Sequence, residues 1–402
     1  MEANIEEAQL LFKQNKYQEA IDTCNKILAV DSLSIEALKL IAKACLAIQK
    51  IEDARLYFKK GLNIKPDDYE TIKDLGNTYQ LTGDVNSAKK YYQKALEINS
   101  SYAPALTNLG SIEFKIGNQK NGLSLLIKAT ECDPILVPAW VNLANVYIQL
   151  NKLKEAENSC RKSIELNPNL LNSHFLLANI LIKQEKFIEA EQSLRKTIEL
   201  KPDFFHAHLI LGTILKELNQ PQKAEIPLRQ AINLKPDYAE AHSNLGSILK
   251  DIGNLEEGAK SLRKAIELKP DLTEAHFNLG SIFRELGKLK EAELSTRKAI
   301  KLNPNLSEAY SNLGSILIEA DNIKEAEVYT RKAIKINPNL AQSYSNLGSI
   351  LIESDNIKEA ESCIRKAIKI NPSLAEAHSN LGSILSKLGN LKEAEISTNK
   401  AI

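Results

Sequence analysis

Neither sign of charge is in excess in this sequence. Its 402 residues carry 52 Lys and Arg and 51 Asp and Glu, for a formal net charge of +1. A near-neutral chain has no overall electrostatic attraction for nucleic acid or for an anionic membrane, so neither is expected as a partner. No apolar run approaches the roughly 18 residues of a membrane span, and the acidic start, Met1 to Glu7, is not a signal-peptide n-region. We therefore expect a cytoplasmic protein.

Cysteine is also sparse, and its spacing excludes the usual zinc and redox motifs. The five cysteines are scattered and form no Cys-x-x-Cys pair. Reduced thiols are therefore expected, rather than a disulfide framework or a metal site. The five are Cys24, Cys45, Cys132, Cys160 and Cys363.

Proline, by contrast, recurs with a strict period. Nine of the 13 prolines are separated by 34 or 68 residues. They are Pro66, Pro134, Pro168, Pro202, Pro236, Pro270, Pro304, Pro338 and Pro372. With this proline at position 32, the repeats start at residues 1, 35, 69, 103, 137, 171, 205, 239, 273, 307, 341 and 375, and the last is incomplete. Such a period predicts one array of small units over residues 1–402, not a globular domain with a buried catalytic centre.

Each repeat has the pattern of two helices. In residues 273–306, apolar residues at helical spacing predict a helix A before Gly287 and a helix B after it. Glycine suits the left-handed residue that closes a helix, and position 15 holds Gly, Asn or Asp in ten of the twelve repeats. Pro304 should end helix B. The pattern from Asp271 to Glu274 predicts a capping box at the start of helix A.

Small residues mark where the helices pack closely. All 16 glycines fall on four repeat positions, and positions 8 and 20 hold only Gly or Ala. Because the repeat uses every glycine, no glycine-rich loop remains to bind phosphate. No Ser, His and acid set lies outside the repeat. We therefore expect no enzymatic activity, no cofactor and no metal site within this chain.

The pattern resembles the tetratricopeptide repeat (TPR) family over the full chain. One repeat shows most of the family's bulky, small and proline positions, at Trp140, Leu143, Ala144, Tyr147, Ala156 and Pro168. The resemblance implies an all-α fold, a right-handed superhelical solenoid of about twelve helix-turn-helix repeats. In that family, helix A lines a concave groove and helix B lies outside.

The main candidate site is a row of asparagines at position 6. The row consists of Asn108, Asn142, Asn244, Asn278, Asn312, Asn346 and Asn380. An amide can donate to and accept from a peptide backbone, so a row of them beside the groove suits an extended polypeptide. The row therefore predicts a protein-interaction scaffold or adaptor that binds a protein or peptide partner. The alternative is that these asparagines satisfy polar groups of the helices or accompany repeat duplication.

The surroundings of the row also look like the repeat arm of O-linked N-acetylglucosamine transferases, whose asparagine ladder holds substrate polypeptides. The motif His242-Ser243-Asn244-Leu245-Gly246 recurs in closely similar form in two further repeats. The sequence also ends within a helix B, before the closing proline. The alternative expectation is therefore a substrate-recruiting arm of a larger, truncated enzyme similar to these glycosyltransferases.

A second candidate site is a partial carboxylate clamp. Chaperone-binding members of the TPR family grip a C-terminal carboxylate with five residues, and Lys73, Asn77 and Asn108 match three of them. Pro138 and Asn142 occupy the two remaining positions, which are basic in that family. The alternative is that these three are ordinary surface residues. Peptide binding would then not depend on a free C-terminal carboxylate of the peptide.

Histidine is concentrated at position 4, a slot that Trp140, Tyr310 and Tyr344 fill in other repeats. The five position-4 histidines are His174, His208, His242, His276 and His378. They lie a full repeat or more apart, so they cannot share a metal ion as a His pair at i, i+4 does. A packing role is expected.

The middle of the array departs from the pattern. Pro221 falls in the first turn of a helix B, where proline is tolerated, but Pro227 lies further in and predicts a kink within residues 205–238. Two repeats nearby lack the asparagine of the row. The expected result is two binding sectors, residues 103–170 and 239–402.

Overall fold

A computed structural model of the chain describes residues 4–401. These residues form 24 α-helices and no strand, which confirms the predicted all-α repeat fold. The A helices are α1 (Ile5–Lys13), α3 (Ile35–Ala47), α5 (Tyr69–Leu81), α7 (Ala103–Lys115), α9 (Val137–Gln149), α11 (Leu171–Lys183), α13 (Phe205–Glu217), α15 (Ala239–Asp251), α17 (Thr273–Glu285), α19 (Ser307–Glu319), α21 (Ala341–Glu353) and α23 (Ala375–Lys387). The B helices are α2 (Tyr17–Val30), α4 (Ile51–Ile64), α6 (Val85–Ile98), α8 (Gln119–Cys132), α10 (Leu153–Leu166), α12 (Phe187–Leu200), α14 (Pro221–Leu234), α16 (Leu255–Leu268), α18 (Leu289–Leu302), α20 (Ile323–Ile336), α22 (Ile357–Ile370) and α24 (Leu391–Asn399).

The helices keep the predicted 34-residue frame. From α3 onward each A helix begins at repeat position 1, and each B helix begins at position 17. Helix B then ends two residues before the proline at position 32. Asn303, which precedes Pro304, has the extended backbone that a following proline imposes, with φ −132° and ψ 94°. Helix B therefore ends where the proline predicts, and α2 and α6, whose repeats have serine at position 32, end at the same repeat position.

The turn from helix A to helix B contains one left-handed residue in every repeat. It is always at position 15, which confirms the prediction made from the Gly, Asn and Asp content of that position. The residues are Asn15, Gln49, Gly83, Gly117, Asn151, Glu185, Asn219, Gly253, Gly287, Asp321, Asp355 and Gly389. Gly adopts this conformation freely and Asn or Asp at small cost, whereas Gln49 and Glu185 adopt it under strain.

Helices A and B of one repeat approach each other closely at position 8. A Cβ atom added to Gly246 would lie 2.5 Å from Cγ of Leu262 in helix B. One added to Gly348 would lie 2.3 Å from Cδ1 of Ile364. The close approach was predicted from the sequence, but its partner was not: the side chain at position 24 of helix B occupies the space that the glycine leaves.

The junction between repeats is not closed by the predicted capping box. Leu272 is the N-cap of α17, and no side chain caps that helix, so the interpretation of Asp271 and Glu274 as a capping box is wrong. In many repeats an Asp or Asn at position 31 instead accepts a hydrogen bond from the backbone two residues later. In one of them the Asn305 N–H donates to the Asn303 Oδ1 at 3.1 Å. This Asx turn spans the proline and orders the junction between helix B and the next helix A.

The chain divides into two compact units, unit 1 (Met1–Lys196) and unit 2 (Thr197–Ile402). Within unit 1, a hydrophobic cluster around Phe58 and Leu75 joins the first three repeats. Within unit 2, a cluster around Leu279 joins the eighth to the tenth repeat. Neighbouring repeats thus share their cores, as expected when each contacts mainly the next.

The two prolines of α14 were expected to have different effects on that helix. In unit 2, α14 begins at Pro221 and continues through Pro227, which is buried. Proline is indeed tolerated in the first turn, and the kink at Pro227 stays a prediction.

Among residues 4–401, no helix combines the length and the apolar character that a membrane crossing requires.

Candidate functional site

The asparagine row lies on the A helices, and its members differ in exposure. Four of the seven are partly exposed, namely Asn108, Asn142, Asn244 and Asn380. The other three lie in unit 2 and are buried, with Asn278 5%, Asn312 8% and Asn346 1% exposed. A ligand can therefore reach only part of the row from solvent.

Much of the row joins one A helix to the next. In the common contact, the asparagine Nδ2 donates a hydrogen bond to the side chain at position 9 of the preceding repeat. The pairs are Asn108 with Asn77 (2.8 Å), Asn244 with Thr213 (3.1 Å), Asn346 with Ser315 (2.8 Å) and Asn380 with Ser349 (2.8 Å). These four members therefore help to hold neighbouring repeats together.

The amides of two buried members are fully engaged within unit 2. Asn346 Nδ2 also donates to the Ser311 carbonyl at 3.1 Å, and its Oδ1 accepts from the Gln342 side chain at 3.0 Å. Asn312 Oδ1 accepts a hydrogen bond from the Arg284 guanidinium at 3.1 Å. A buried amide with its own partners stabilises the packing of the A helices.

Unit 1 contains a polar concavity of about 280 Å³ at the two accessible members of the row in that unit. We call it the amide pocket. It is lined by Gln80, Asn108, Ser111, Phe114, Lys115, Asn142, Asn145, Val146 and Gln149. Five of these side chains are amides and only Lys115 is charged, so the pocket presents neutral donors and acceptors beside one aromatic wall.

The amide of Asn142 is the uncommitted group of the amide pocket. Within residues 4–401 it has no hydrogen-bond partner, so its donor and its acceptor are both available. Asn145 donates to the Val141 carbonyl at 3.0 Å, and Asn108 donates to Asn77, which leaves their side-chain carbonyls as acceptors. The pocket can therefore accept at several points and donate at one or more.

A buried tyrosine supports the amide pocket from behind. Tyr92 of α6 is fully buried, and its hydroxyl oxygen lies 2.8 Å from Asn77 Oδ1 and 2.6 Å from Gln80 Oε1. A Cβ atom on Gly76 would lie 2.7 Å from the tyrosine ring, so only glycine leaves room for that ring. Burial raises the pKa of the Tyr92 hydroxyl, which therefore stays protonated as a donor.

The three predicted clamp residues come together, but around a carboxylate of the chain itself. Lys73 forms an ion pair with Asp74, and Asn77 Nδ2 lies 3.4 Å from Asp74 Oδ1. Asn108 joins them through Asn77, and Lys43 lies 4.0 Å from the other Asp74 oxygen. A C-terminal carboxylate bound here would have to compete with Asp74, which is at position 6 of its repeat.

The position-4 side chains hold the junction between repeats. Nε2 of each of the five histidines lies 2.8–3.0 Å from the carbonyl oxygen of the position-32 proline six residues earlier. Trp140 Nε1 donates to the Pro134 carbonyl in the same way, at 2.8 Å. The histidines therefore have the expected structural role, with a hydrogen bond that packing arguments did not predict.

The B helices carry an ion-pair series that sequence reasoning missed. Arginine at position 25 pairs with Glu at position 21 of its own helix and with Glu at position 19 of the next helix B. Arg297 of α18, for example, lies 2.8 Å from Glu293 and 2.8 Å from Glu325 of α20. We call this series the arginine ladder. The regular spacing of 28 residues between the arginine and the second glutamate is the signal that would have revealed it.

Sequence reasoning also missed most of the amide pocket. It found Asn108 and Asn142 at position 6 but not Asn145 at position 9, Gln80 at position 12 or Gln149 at position 13. Positions 9 and 13 lie about one and two helical turns after position 6 on the same face, and position 12 lies one turn after position 9. A search for amides at this spacing would have found them.

Family models match the chain over most of its length. The model described as Cilia and flagella-associated protein 70 C-terminal domain matches residues 30–277. Models of the tetratricopeptide repeat match residues 273–306, residues 307–340 and 341–374, and residues 363–396. No curated protein matches the chain.

Solved structures are similar to the chain at low sequence identity. The structure of YrrB, described as "a TPR protein with an unusual peptide-binding site", is 25% identical with a TM-score of 0.42, over 46% of this chain and 95% of that one. MamA protein is 23% identical with a TM-score of 0.39, over 43% and 94%. A chain of the APC/C hetero-tetramer Cut9-Hcn1 is 12% identical with a TM-score of 0.53, over 98% and 92%. This last likeness shows a shared helical-repeat fold.

Proposed function

The chain belongs to the tetratricopeptide-repeat family, in the group described by the model of the Cilia and flagella-associated protein 70 C-terminal domain, and we propose that it is a scaffold that binds an extended polypeptide segment. The binding site that we propose is the amide pocket of unit 1. The observation that carries the proposal is the Asn142 amide, which has no partner within residues 4–401 and stands among four further amide side chains.

The chemistry of the pocket suits a peptide backbone better than a charged ligand. A backbone offers one N–H donor and one C=O acceptor per residue, and a side-chain amide pairs with either. A small charged ligand would find only Lys115 as a counter-charge in this lining. Phe114 adds an apolar wall, against which one side chain of the peptide can pack.

The exposed members of the row in unit 2, Asn244 and Asn380, are proposed to extend the same kind of binding. Each uses its Nδ2 within the chain and keeps its carbonyl as an acceptor. We assign Asn278, Asn312 and Asn346 a structural part, because they are buried. The proposed peptide contacts are therefore fewer than the seven that the sequence predicted.

The proposal is tested with peptides selected by phage display on the full chain, without assumption about their sequence. The affinity of a selected peptide, measured by fluorescence anisotropy, should fall about fivefold in Asn142→Ala, since a single hydrogen bond typically contributes about 1 kcal/mol. The matched control is Asn158→Ala, which removes an exposed asparagine from helix B of the same repeat. It should bind as the wild type does.

Two results would refute the proposal. One is that Asn142→Ala binds every selected peptide as tightly as the wild type. The other is that Asn142→Ala and Asn158→Ala weaken binding equally, because the loss would then not come from the amide pocket.

A further inference from the structure

A concavity larger than the amide pocket lies in unit 2, between two of its B helices. It has a volume of about 560 Å³ and is bounded by α14 and α16, with α15 beneath. Its floor is formed by Ile232, His242 and Leu245, and its rim carries Lys260, Arg263 and Lys264. We call it the B-helix pocket. An apolar floor under a cationic rim differs in kind from the neutral amide pocket.

Arg263 is the exception in the arginine ladder. At position 21, where α14, α18, α20 and α22 have Glu225, Glu293, Glu327 and Glu361, α16 has Ala259. Within residues 4–401 no carboxylate pairs with Arg263. Its guanidinium instead stands over the Phe283 ring, 5.3 Å from the ring centre. An exposed guanidinium that lacks the acid of its own helix and does not pair with Glu291 of α18 keeps its N–H donors available for an external anion.

The other charges around the B-helix pocket show how far it departs from neutrality. Arg229 is bound by Glu225 at 2.8 Å and by Glu257 at 2.6 Å, and Lys264 by Glu267 at 2.8 Å. Lys260 has no acidic partner among the described residues. The rim therefore presents two uncompensated positive charges, from Lys260 and Arg263, on a chain that is otherwise almost neutral.

Unit 1 contains a concavity at the same repeat positions, which serves as an internal comparison. It has a volume of about 390 Å³ and is built around Ile164, His174 and Leu177. The arginine there that corresponds to Arg263 is Arg195 of α12, and it pairs with Glu191 of its own helix at 2.8 Å. The unpaired arginine is thus a property of the B-helix pocket, not of every such groove.

We propose that the B-helix pocket is a second docking site, for an acidic polypeptide segment that carries an aliphatic side chain. The glutamates or aspartates of the segment pair with Arg263 and Lys260, and the aliphatic side chain covers Leu245 and Ile232. Charge complementarity favours an acidic partner. A concavity of this volume with an apolar floor suits a peptide side chain rather than a lone inorganic anion.

The test uses the full chain and three probes. The probes are a short labelled peptide with glutamates on both sides of a central leucine, its counterpart with glutamines, and inorganic phosphate. Binding of the glutamate peptide should weaken about fivefold in Arg263→Gln. Ala259→Glu should weaken it to a similar extent, because it supplies the missing acid of the ladder without removing any side chain of the pocket. In both variants the midpoint of thermal unfolding confirms that the chain is folded.

The controls separate this site from the amide pocket. Arg331→Gln removes a ladder arginine that has both of its acids, and it should leave the affinity within twofold of the wild type. Asn142→Ala should also leave it unchanged. Four results would overturn the proposal: wild-type affinity in Arg263→Gln, equal binding of the glutamine peptide, displacement of the peptide by millimolar phosphate, or an equal loss in Asn142→Ala.

Discussion

Single residues at position 8 decide how closely the two helices of a repeat approach. In eight repeats that residue is glycine, and the side chain at position 24 of helix B occupies the place of its missing Cβ. Spacing and composition were enough to predict the close approach of the two helices. They were not enough to predict the partner, which is leucine for Gly246 and a threonine hydroxyl for Gly280.

A pair of glycine substitutions tests this account of the packing. In Gly246→Ala the new Cβ would lie 2.5 Å from Leu262, so the free energy of unfolding should fall by about 1–3 kcal/mol. In Gly61→Ala the new Cβ would meet no atom within 4 Å, and it should stabilise α4 by about 1 kcal/mol. Urea titration of both variants measures the difference. Equal effects of the two substitutions would show that close packing at position 8 is not the cause.

Contacts between helices were predicted less well than the helices themselves. The period of 34 residues predicted both helices of each repeat and the turn between them, because these depend on local backbone preferences. The prediction of a capping box was wrong because Asp271 lies one residue too early to cap α17. The carboxylate of Glu113 was also missed. It is 2% exposed in α7, and it joins Lys89 of α6 and Asn118, the N-cap of α8.

The Glu113 contact makes the stability of unit 1 depend on pH. Burial alone would raise the pKa of this carboxyl, but hydrogen bonds from Lys89 and Asn118 outweigh burial, so the pKa lies below its ordinary value. A carboxyl with a lowered pKa stabilises the fold above the pKa of the unfolded chain, about 4.3 for glutamate, and this contribution is lost as the pH falls through the folded value.

Glu113→Gln tests this pH dependence. At pH 7 the variant should be less stable than the wild type by about 1 kcal/mol, because the ion pair with Lys89 is lost. The difference should shrink as the pH falls below about 4, where the wild-type carboxyl takes up a proton. Urea titrations of both proteins across this range provide the measurement. A difference that stays constant down to pH 3 would contradict the account.

The position of the proposed binding site in the chain follows only in outline from the sequence. The position-6 row identified Asn142, but it gave equal weight to Asn346, which is 1% exposed and fully bonded within unit 2. The two residues occupy the same repeat position, and the neighbours on adjacent A helices decide which amide remains accessible. Such burial depends on side chains 31 residues or more away, which a local pattern does not contain. The structure was therefore needed to show which members of the row line the amide pocket.

In the proposed function, the amide pocket forms hydrogen bonds with the backbone of a bound polypeptide. The most direct test compares the affinity of the wild-type chain for a selected peptide with its affinity for analogues of that peptide. Each analogue is N-methylated at a single backbone position. N-methylation removes one backbone donor and leaves every side chain in place. We predict that at least one analogue binds about tenfold more weakly and that Asn142→Ala no longer distinguishes it from the parent peptide. If all N-methylated analogues bind as tightly as the parent peptide, the pocket does not recognise a polypeptide backbone and the proposed function is wrong.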